Sequence, residues 1–231
     1  MDQLKQVPFE SSWASIIPVI EPFVYQVHSG DGLGTAFIVA TSSSEVGPFF
    51  TMFATAWHVV EDVVETNKIL ELVRRDGTKL SKIMVGPAKI YPLGPKECDV
   101  ALIQVQTTEP LTSIDNLLPM PIETMISRGT DVGWLGFPGL VFPELCFFSG
   151  VVSGYKENPL VYLIDGVAIN GVSGGPAFDR TGLLTGLVSA YLPNRLNENT
   201  VLPGLMILIP INLIRFWMEK FLKATVKLRN P

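Results

Sequence analysis

The amino-acid sequence predicts an all-β protein that is built from two halves and ends in one α-helix. Short β-type runs separated by turn residues recur along most of the 231 residues, which favours an antiparallel barrel or sandwich over alternating strand–helix units. A stretch at residues 107–126 contains Pro110, Pro119 and Pro121 and shows little periodicity, so we expect a linker there. The clearest helical pattern lies near the end of the chain, at residues 211–223.

The predicted strands fall into two groups, one on each side of this linker. In the first half they cover residues 23–28, 35–40, 49–55, 69–74, 79–85 and 100–105. In the second half they cover residues 130–136, 145–155, 160–164, 175–179, 183–191 and 205–209. Ser-Gly-Asp-Gly at 29–32 and Asp-Gly at 76–77 are typical turn sequences, so we expect the chain to reverse there.

One helix and two apolar stretches complete the expected elements. Over residues 211–223 the apolar side chains form a broad stripe and charged residues occupy other positions, as in an amphipathic helix. The apolar stretches at 16–27 and 201–214 are broken by prolines and polar residues, so neither predicts a membrane span. We expect both stretches to form strands or other core elements.

Composition excludes several classes of protein. Hydrophobic residues make up 47% and charged residues 17% of the chain, which indicates a folded and rather apolar protein. A net charge of −5 and the lack of a basic run argue against a nucleic-acid-binding surface. Residues 1–10 lack the pattern of a signal peptide. We therefore expect a cytoplasmic protein with no membrane or nucleic-acid partner.

The two cysteines, Cys98 and Cys146, predict neither a metal site nor a disulfide framework. They form no CxxC pair, and no set of His and Cys residues has the spacing of metal ligands. Free thiols in a reducing compartment explain so few cysteines best, although a single disulfide is an alternative. We expect no cofactor and no metal.

Ser173 stands in the segment Gly-Val-Ser-Gly-Gly-Pro at 171–176, the most informative stretch of the chain. A serine hydroxyl attacks a carbonyl only when a base accepts its proton and nearby donors stabilise the oxyanion that forms. Surrounding glycines let the backbone turn tightly, so that successive N–H groups can point into one hole. The alternative is an ordinary glycine-rich turn.

His58 and Asp99 are the candidates for the base and for the acid that orients it. Only two histidines exist, and His58 follows an apolar strand, whereas His28 precedes a turn and is expected on the surface. Asp99 opens the apolar run Val-Ala-Leu-Ile at 100–103, which tends to draw its start into the protein. An ordinary partly buried histidine and a solvated aspartate are the alternatives.

Chain order separates two classes of hydrolase. The Gly-x-Ser-x-Gly pattern around Ser173 also fits the nucleophile turn of α/β-hydrolases, but that fold requires a histidine after the serine. No histidine follows His58. The order His58, Asp99, Ser173 is instead that of chymotrypsin-like proteases.

Four segments in this order resemble the chymotrypsin/trypsin-like serine peptidases, especially their bacterial HtrA-like branch. They are Gly-Thr-Ala-Phe-Ile-Val at 34–39, Thr-Ala-Trp-His-Val at 55–59, Asp-Val-Ala-Leu-Ile at 99–103 and the serine segment at 171–176. The resemblance implies two packed antiparallel six-stranded β-barrels, an active-site cleft between them, and a C-terminal helix. It places an N-terminal barrel at residues 1–110, a linker at 111–127, and a second barrel with the helix at 128–231.

The resemblance also implies roles for individual residues. Ser173 would be the nucleophile, His58 the base, and Asp99 the group that fixes the histidine tautomer, with the N–H groups of Gly171 and Ser173 forming the oxyanion hole. Ser189 would support Asp99. Ala190 and Tyr191 would border the specificity pocket, with its floor near Val167. A neutral Val167 argues against a preference for Lys or Arg, although Asp165, two residues away, would reverse that expectation.

Two departures narrow the resemblance, one from secreted trypsins and one from HtrA-like proteins. Val172 occupies the position where those enzymes carry an acidic residue that pairs with a new N-terminus, so activation by that route is not expected. Because the sequence ends soon after the predicted C-terminal helix, we expect no PDZ domain of the kind that many HtrA-like proteins carry.

The leading hypothesis is an intracellular serine endopeptidase that acts on peptides or proteins. One alternative is a protease-fold interaction protein with latent or lost catalysis, and another is an esterase or acyltransferase on the same fold. A regulatory partner or a homo-oligomer stays open. Phe9, Trp13 and Phe23 could contact another subunit, but we expect them to pack on their own barrel.

Overall fold

The computed structural model describes residues 11–30, 32–42, 48–76, 79–113, 117–121, 125–141, 143–158, 160–197 and 200–229. The helices are α1 (Trp13–Ile20), α2 (Trp57–Glu65) and α3 (Ile211–Arg229). The strands of the first half are β1 (Val24–Ser29), β2 (Gly32–Thr41), β3 (Phe49–Ala56), β4 (Leu70–Asp76), β5 (Lys79–Val85), β6 (Ile90–Pro92) and β7 (Val100–Thr107). Those of the second half are β8 (Asp131–Gly136), β9 (Cys146–Glu157), β10 (Leu160–Asp165), β11 (Pro176–Asp179), β12 (Leu184–Asn197) and β13 (Thr200–Pro210).

The first half is a seven-stranded antiparallel sheet in the order β5-β4-β1-β2-β3-β7-β6. Each predicted run in this half forms a strand, but the sheet is open and has one strand more than the expected six-stranded barrel. The addition is β6, which pairs with the edge of β7 through Ile90↔Ile103 and Pro92↔Ala101. At three residues, β6 is too short to show a sequence period.

The second half is a closed barrel of six strands in the order β10-β13-β12-β11-β8-β9, as expected. Strands β12 and β13 pair far beyond their predicted ends, from Gly186↔Pro210 to Asn197↔Thr200. In the apolar stretch at 201–214, residues 201–210 are therefore strand, and residues 211–214 are the start of α3. Since β7 ends at Thr107 and β8 begins at Asp131, the proline-containing stretch connects the two sheets.

Two helices were not predicted from the sequence. The stretch at 16–27 was expected to be a strand or core element, and for its first residues a strand is wrong, because α1 continues to Ile20. Pro18 argues against a helix, yet it lies on the exposed face near the helix end, while Ile16 and Ile20 are buried one turn apart. In α2 the buried residues are three valines, a residue type that is typical of strands.

Each terminal helix packs across to the opposite half of the molecule. On α1, the Trp13 ring contacts Phe147 and Phe178 of the second barrel, with centroid distances of 5.3 and 5.8 Å. On α3, Phe221 lies 5.1 Å from Tyr91 of the first sheet. Phe23 is buried in the core of its own chain. For Trp13 the expectation of packing on its own barrel is wrong, because its ring packs on the second barrel. Phe9 lies outside the described residues. These crossed contacts join the two halves of the molecule.

Two further expectations are tested by the fold. None of the helices in the described part of the chain is long and apolar enough to cross a membrane. Cys98 and Cys146 are both free thiols, the first buried and the second half-buried.

Candidate active site

The pairing of β3 with β7 brings His58 and Asp99 together. These strands are antiparallel, and the last residue of β3, Ala56, lies opposite the first residue of β7, Val100. The residues just beyond this pair are therefore neighbours, although 41 positions separate His58 from Asp99 in the chain. His58 stands in the first turn of α2, which begins where β3 ends.

Asp99 holds His58 through both backbone and side chain. Its carbonyl accepts the N–H of Trp57 at 3.0 Å, and its Oδ1 accepts the backbone N–H of His58 at 2.9 Å. The ring Nδ1 of His58 lies 3.0 and 2.9 Å from the two carboxylate oxygens. Because an ionised carboxylate only accepts hydrogen bonds, Nδ1 carries the proton and Nε2 is left free to act as a base.

The carboxylate of Asp99 is mostly buried and stays ionised. Its residue adopts the left-handed conformation, with φ at 48°, which turns the side chain under the imidazole. The Ser189 hydroxyl from the second barrel donates a 2.5 Å hydrogen bond to Oδ2. Burial raises the pKa of Asp99, but the hydrogen bonds from His58 and Ser189, with the charge of His58, lower that pKa by more.

Ser173 lies in the loop between β10 and β11. The backbone carbonyls of neighbouring residues in this loop already accept hydrogen bonds. Asn170 O accepts the N–H of Gly139 at 2.8 Å, and Val172 O accepts the N–H of Gly175 at 3.0 Å. Gly171 has φ at 97°, and a Cβ there would collide with the carbonyl of Phe137, so glycine is required.

The N–H groups of Gly171 and Ser173 donate to no acceptor within the described residues, so the fold leaves them available. In a trans peptide the C=O and N–H point in opposite directions. Since the Asn170 carbonyl points to Gly139, the Gly171 N–H points away from it. The conformation is thus compatible with the expected oxyanion hole at Gly171 and Ser173.

A cleft of about 620 Å³ contains most of the residues that the sequence singled out. His58 and Ser173 lie in its wall, although they are not hydrogen-bonded to each other, a spacing that is common in unliganded sites. The other lining residues are Gly139, Leu140, Ala168, Ile169, Asn170, Ser189, Ala190 and Tyr191. The cleft therefore unites residues of both halves.

Several of the residues discussed above lie outside this lining, Asp99 and Gly171 among them. Val167 is 57% exposed, and its neighbours Ala168 and Ile169 line the cleft instead. Asp165 ends β10 and is exposed. His28 is half-buried on β1, where its Nε2 lies 2.9 Å from Gln26 Oε1. Val172, next to the serine, is fully buried in the apolar core of the second barrel.

Gly139 and Asn170 were not found from the sequence. They contribute backbone groups, and a backbone N–H or carbonyl leaves no mark on residue type. The described residues contain no cluster of three His, Cys, Asp or Glu side chains that could hold a metal ion.

The chain matches a known protein family. Residues 34–187 match the family described as trypsin-like peptidase domain. No curated protein sequence matches the chain.

Three solved structures show the fold expected from the motifs, and one of them is an HtrA-type protease. The serine endoprotease from Yersinia pestis has a TM-score of 0.66 at 20% identity, covering 94% of this chain and 68% of that one. Deg5 has a TM-score of 0.62 at 18% identity, covering 88% and 90%. The HtrA-type protease AlgW, solved with a tripeptide, has a TM-score of 0.66 at 18% identity, and the match spans 93% of this chain and 64% of that one.

Proposed function

The chain belongs to the family of trypsin-like peptidase domains, and from that premise we propose that Ser173, His58 and Asp99 form the catalytic triad of a serine endopeptidase. The observation that carries the proposal is the Asp99 carboxylate, which accepts hydrogen bonds from His58 Nδ1 and from Ser189. This arrangement leaves His58 Nε2 free in the cleft that also contains Ser173.

The proposed reaction is acyl transfer through the serine. Ser173 Oγ attacks the carbonyl carbon of the scissile peptide while His58 Nε2 takes the hydroxyl proton. The N–H groups of Gly171 and Ser173 stabilise the oxyanion, and His58 then gives its proton to the leaving amine. Water, activated by the same histidine, releases the acyl group. Asp99 keeps the imidazole in the right tautomer and stabilises its charged form.

An open strand edge supports binding of an extended peptide. β11 pairs with β12 as far as Leu187, and Val188 still bonds to Gly174 and Gly175. Within the described chain, the edge of β12 beyond Val188 has no partner strand on the cleft side. A peptide that lies along Ser189–Leu192 adds an antiparallel strand there and carries its scissile bond to Ser173.

The lining of the cleft favours a neutral side chain on the acyl side of the scissile bond. Ala168, Ile169, Ala190 and Tyr191 carry no charge, so a lysine or arginine of the substrate would lose hydration without gaining an ionic partner. A peptide series that varies only this residue tests the preference through kcat/KM. Faster cleavage after Lys or Arg than after Ala, Val or Leu would contradict it.

Turnover of a peptide library separates the proposed activity from its alternatives. We expect the wild type to cleave internal peptide bonds and Ser173→Ala to lose this activity while keeping its melting temperature. Hydrolysis of esters without cleavage of any peptide would instead favour the esterase. No turnover of either class by a folded wild type would favour an interaction protein with lost or latent catalysis.

We also propose that the protein works in the cytoplasm. Both cysteines are free, and burial raises the pKa of the Cys98 thiol, which keeps it unreactive. Fractionation of the native host with an antibody to the chain checks this location. Recovery of the protein outside the cytoplasmic fraction would contradict it.

A further inference from the structure

Thr35 joins the first sheet to the serine loop of the second barrel. It lies in the motif at residues 34–39, to which no catalytic role has been given above, and its side chain is fully buried. In sequence it stands 136 positions from Gly171, yet the two residues are hydrogen-bonded. A threonine so far from the nucleophile in sequence therefore contacts the loop that carries the nucleophile.

Both the backbone and the side chain of Thr35 take part. The Thr35 N–H donates to the carbonyl of Ser173 at 2.8 Å. The Thr35 hydroxyl donates to the carbonyl of Gly171 at 2.7 Å and accepts the N–H of Phe137 at 3.0 Å. The Thr35 carbonyl in turn accepts the hydroxyl of Thr55 at 2.8 Å. Each polar group of Thr35 is thus engaged, and Thr35 itself does not line the cleft.

We propose that the Thr35 hydroxyl is the positioning group that holds the oxyanion hole open, an inference that rests on the proposed function. The peptide that joins Gly171 to Val172 lies between the two oxyanion donors. Thr35 fixes its carbonyl, and Ile169 O accepts its N–H at 3.0 Å. With this peptide held at both ends, the N–H groups of Gly171 and Ser173 on either side of it keep their directions.

The same hydroxyl also holds the segment from Phe137 to Gly139, which restrains the Asn170–Gly171 peptide. By accepting the N–H of Phe137, Thr35 anchors the chain just before Gly139. The Gly139 N–H holds the carbonyl of Asn170, and this carbonyl sets the direction of the Gly171 N–H. Loss of the hydroxyl leaves two buried backbone groups without partners, and rotation of the Asn170–Gly171 peptide takes one donor out of the hole.

Substitution of Thr35 tests this role with a matched control. Thr35→Val keeps the shape of the side chain but removes the hydroxyl, and Thr35→Ser restores it. Thr51→Val removes another fully buried hydroxyl of the same half, far from the serine loop, where Thr51 contacts Thr41 at 3.4 Å. Each variant is assayed with a neutral peptide substrate that the wild type cleaves, and its melting temperature is recorded.

We expect Thr35→Val to lower kcat by about 10²-fold, the effect of losing one oxyanion donor, with KM changed by less than about threefold. Thr35→Ser should recover most of kcat, and Thr51→Val should keep it. A peptide boronic acid forms an adduct with Ser173 that places an oxygen in the oxyanion hole. Its affinity for Thr35→Val should be lower than for the wild type by about the same factor as kcat/KM.

Three results would overturn the proposal. The first is a Thr35→Val variant that retains the wild-type kcat. The second is a Thr35→Ser variant that is as impaired as Thr35→Val. The third is an unchanged affinity of folded Thr35→Val for the boronic acid, and if Thr35→Val does not fold, Thr35→Ala takes its place in each of these tests. An inactive, folded wild type would instead refute the proposed function on which the inference rests.

Discussion

The hydroxyl of Ser189, on the second barrel, donates a hydrogen bond to the carboxylate of Asp99, on the first sheet. This contact crosses the boundary between the two halves at the point where the cleft lies. Any shift of one half against the other therefore changes the environment of Asp99, and with it the orientation of His58. Catalytic geometry in this protein depends on how the two sheets are held together.

Replacement of Asp99 by asparagine should abolish most activity without unfolding the chain. The amide keeps the size of the carboxylate, but its NH₂ can face His58 Nδ1, which favours the tautomer that has no free base at Nε2. We expect kcat to fall by about 10⁴-fold with little change in KM. Steady-state kinetics on a peptide substrate measure this loss. A fall of less than tenfold would mean that Asp99 does not set the tautomer.

Replacement of Ser189 by alanine should raise the pKa of Asp99, because a donor to its ionised form is lost. A carboxyl with a lowered pKa in the folded state stabilises the fold above its unfolded pKa of about 3.9, and this contribution is lost as the pH falls through the folded value. The wild type should therefore be more stable than Ser189→Ala near neutral pH. This advantage should shrink as the pH falls below about 4.

Urea unfolding at several pH values measures the advantage directly. Ser153→Ala, at an exposed position of β9, is the control for losing a serine hydroxyl. A constant difference between wild type and Ser189→Ala from pH 7 to about pH 3 would show that Asp99 is not the group involved.

Addition of a methyl group at Gly34 should destabilise the fold. A Cβ at this position would overlap the side chain of Val59 on α2, the helix that carries His58. We expect Gly34→Ala to lower the free energy of unfolding by about 1–3 kcal/mol, as overpacking usually does. The control is Gly86→Ala, because a Cβ at Gly86 meets no atom within 4 Å. Equal stability of the two variants would contradict this packing.

The alternation of apolar residues was enough to predict every strand except β6, but not all of the helices. In α2 the residues that face the core are Val59, Val60 and Val63, whose β-branched side chains are typical of strands. The packing of α2 against β1 and β2 outweighs the preference of these valines for strands. In α1 the helix contains Pro18, which a pattern-based analysis treats as a break.

The candidate site could be predicted where chemistry is carried by side chains. The scarcity of histidine and the order of the three residues pointed to His58 and Ser173, which line one cleft, and to Asp99, which is hydrogen-bonded to His58. By contrast, Gly139 and Asn170 act through backbone groups. The position of Thr35 beside Gly171 depends on how the two halves pack, and no local pattern reports a contact between residues so distant in sequence.

Labelling with a fluorophosphonate probe tests the central claim most directly, because this reagent reacts with a serine only when the hydroxyl is activated. We expect the wild type to be labelled, with mass spectrometry locating the adduct on Ser173. Ser173→Ala should not be labelled at all, and His58→Ala should be labelled far more slowly. A folded wild type that remains unlabelled, or an adduct on any residue other than Ser173, would contradict the account.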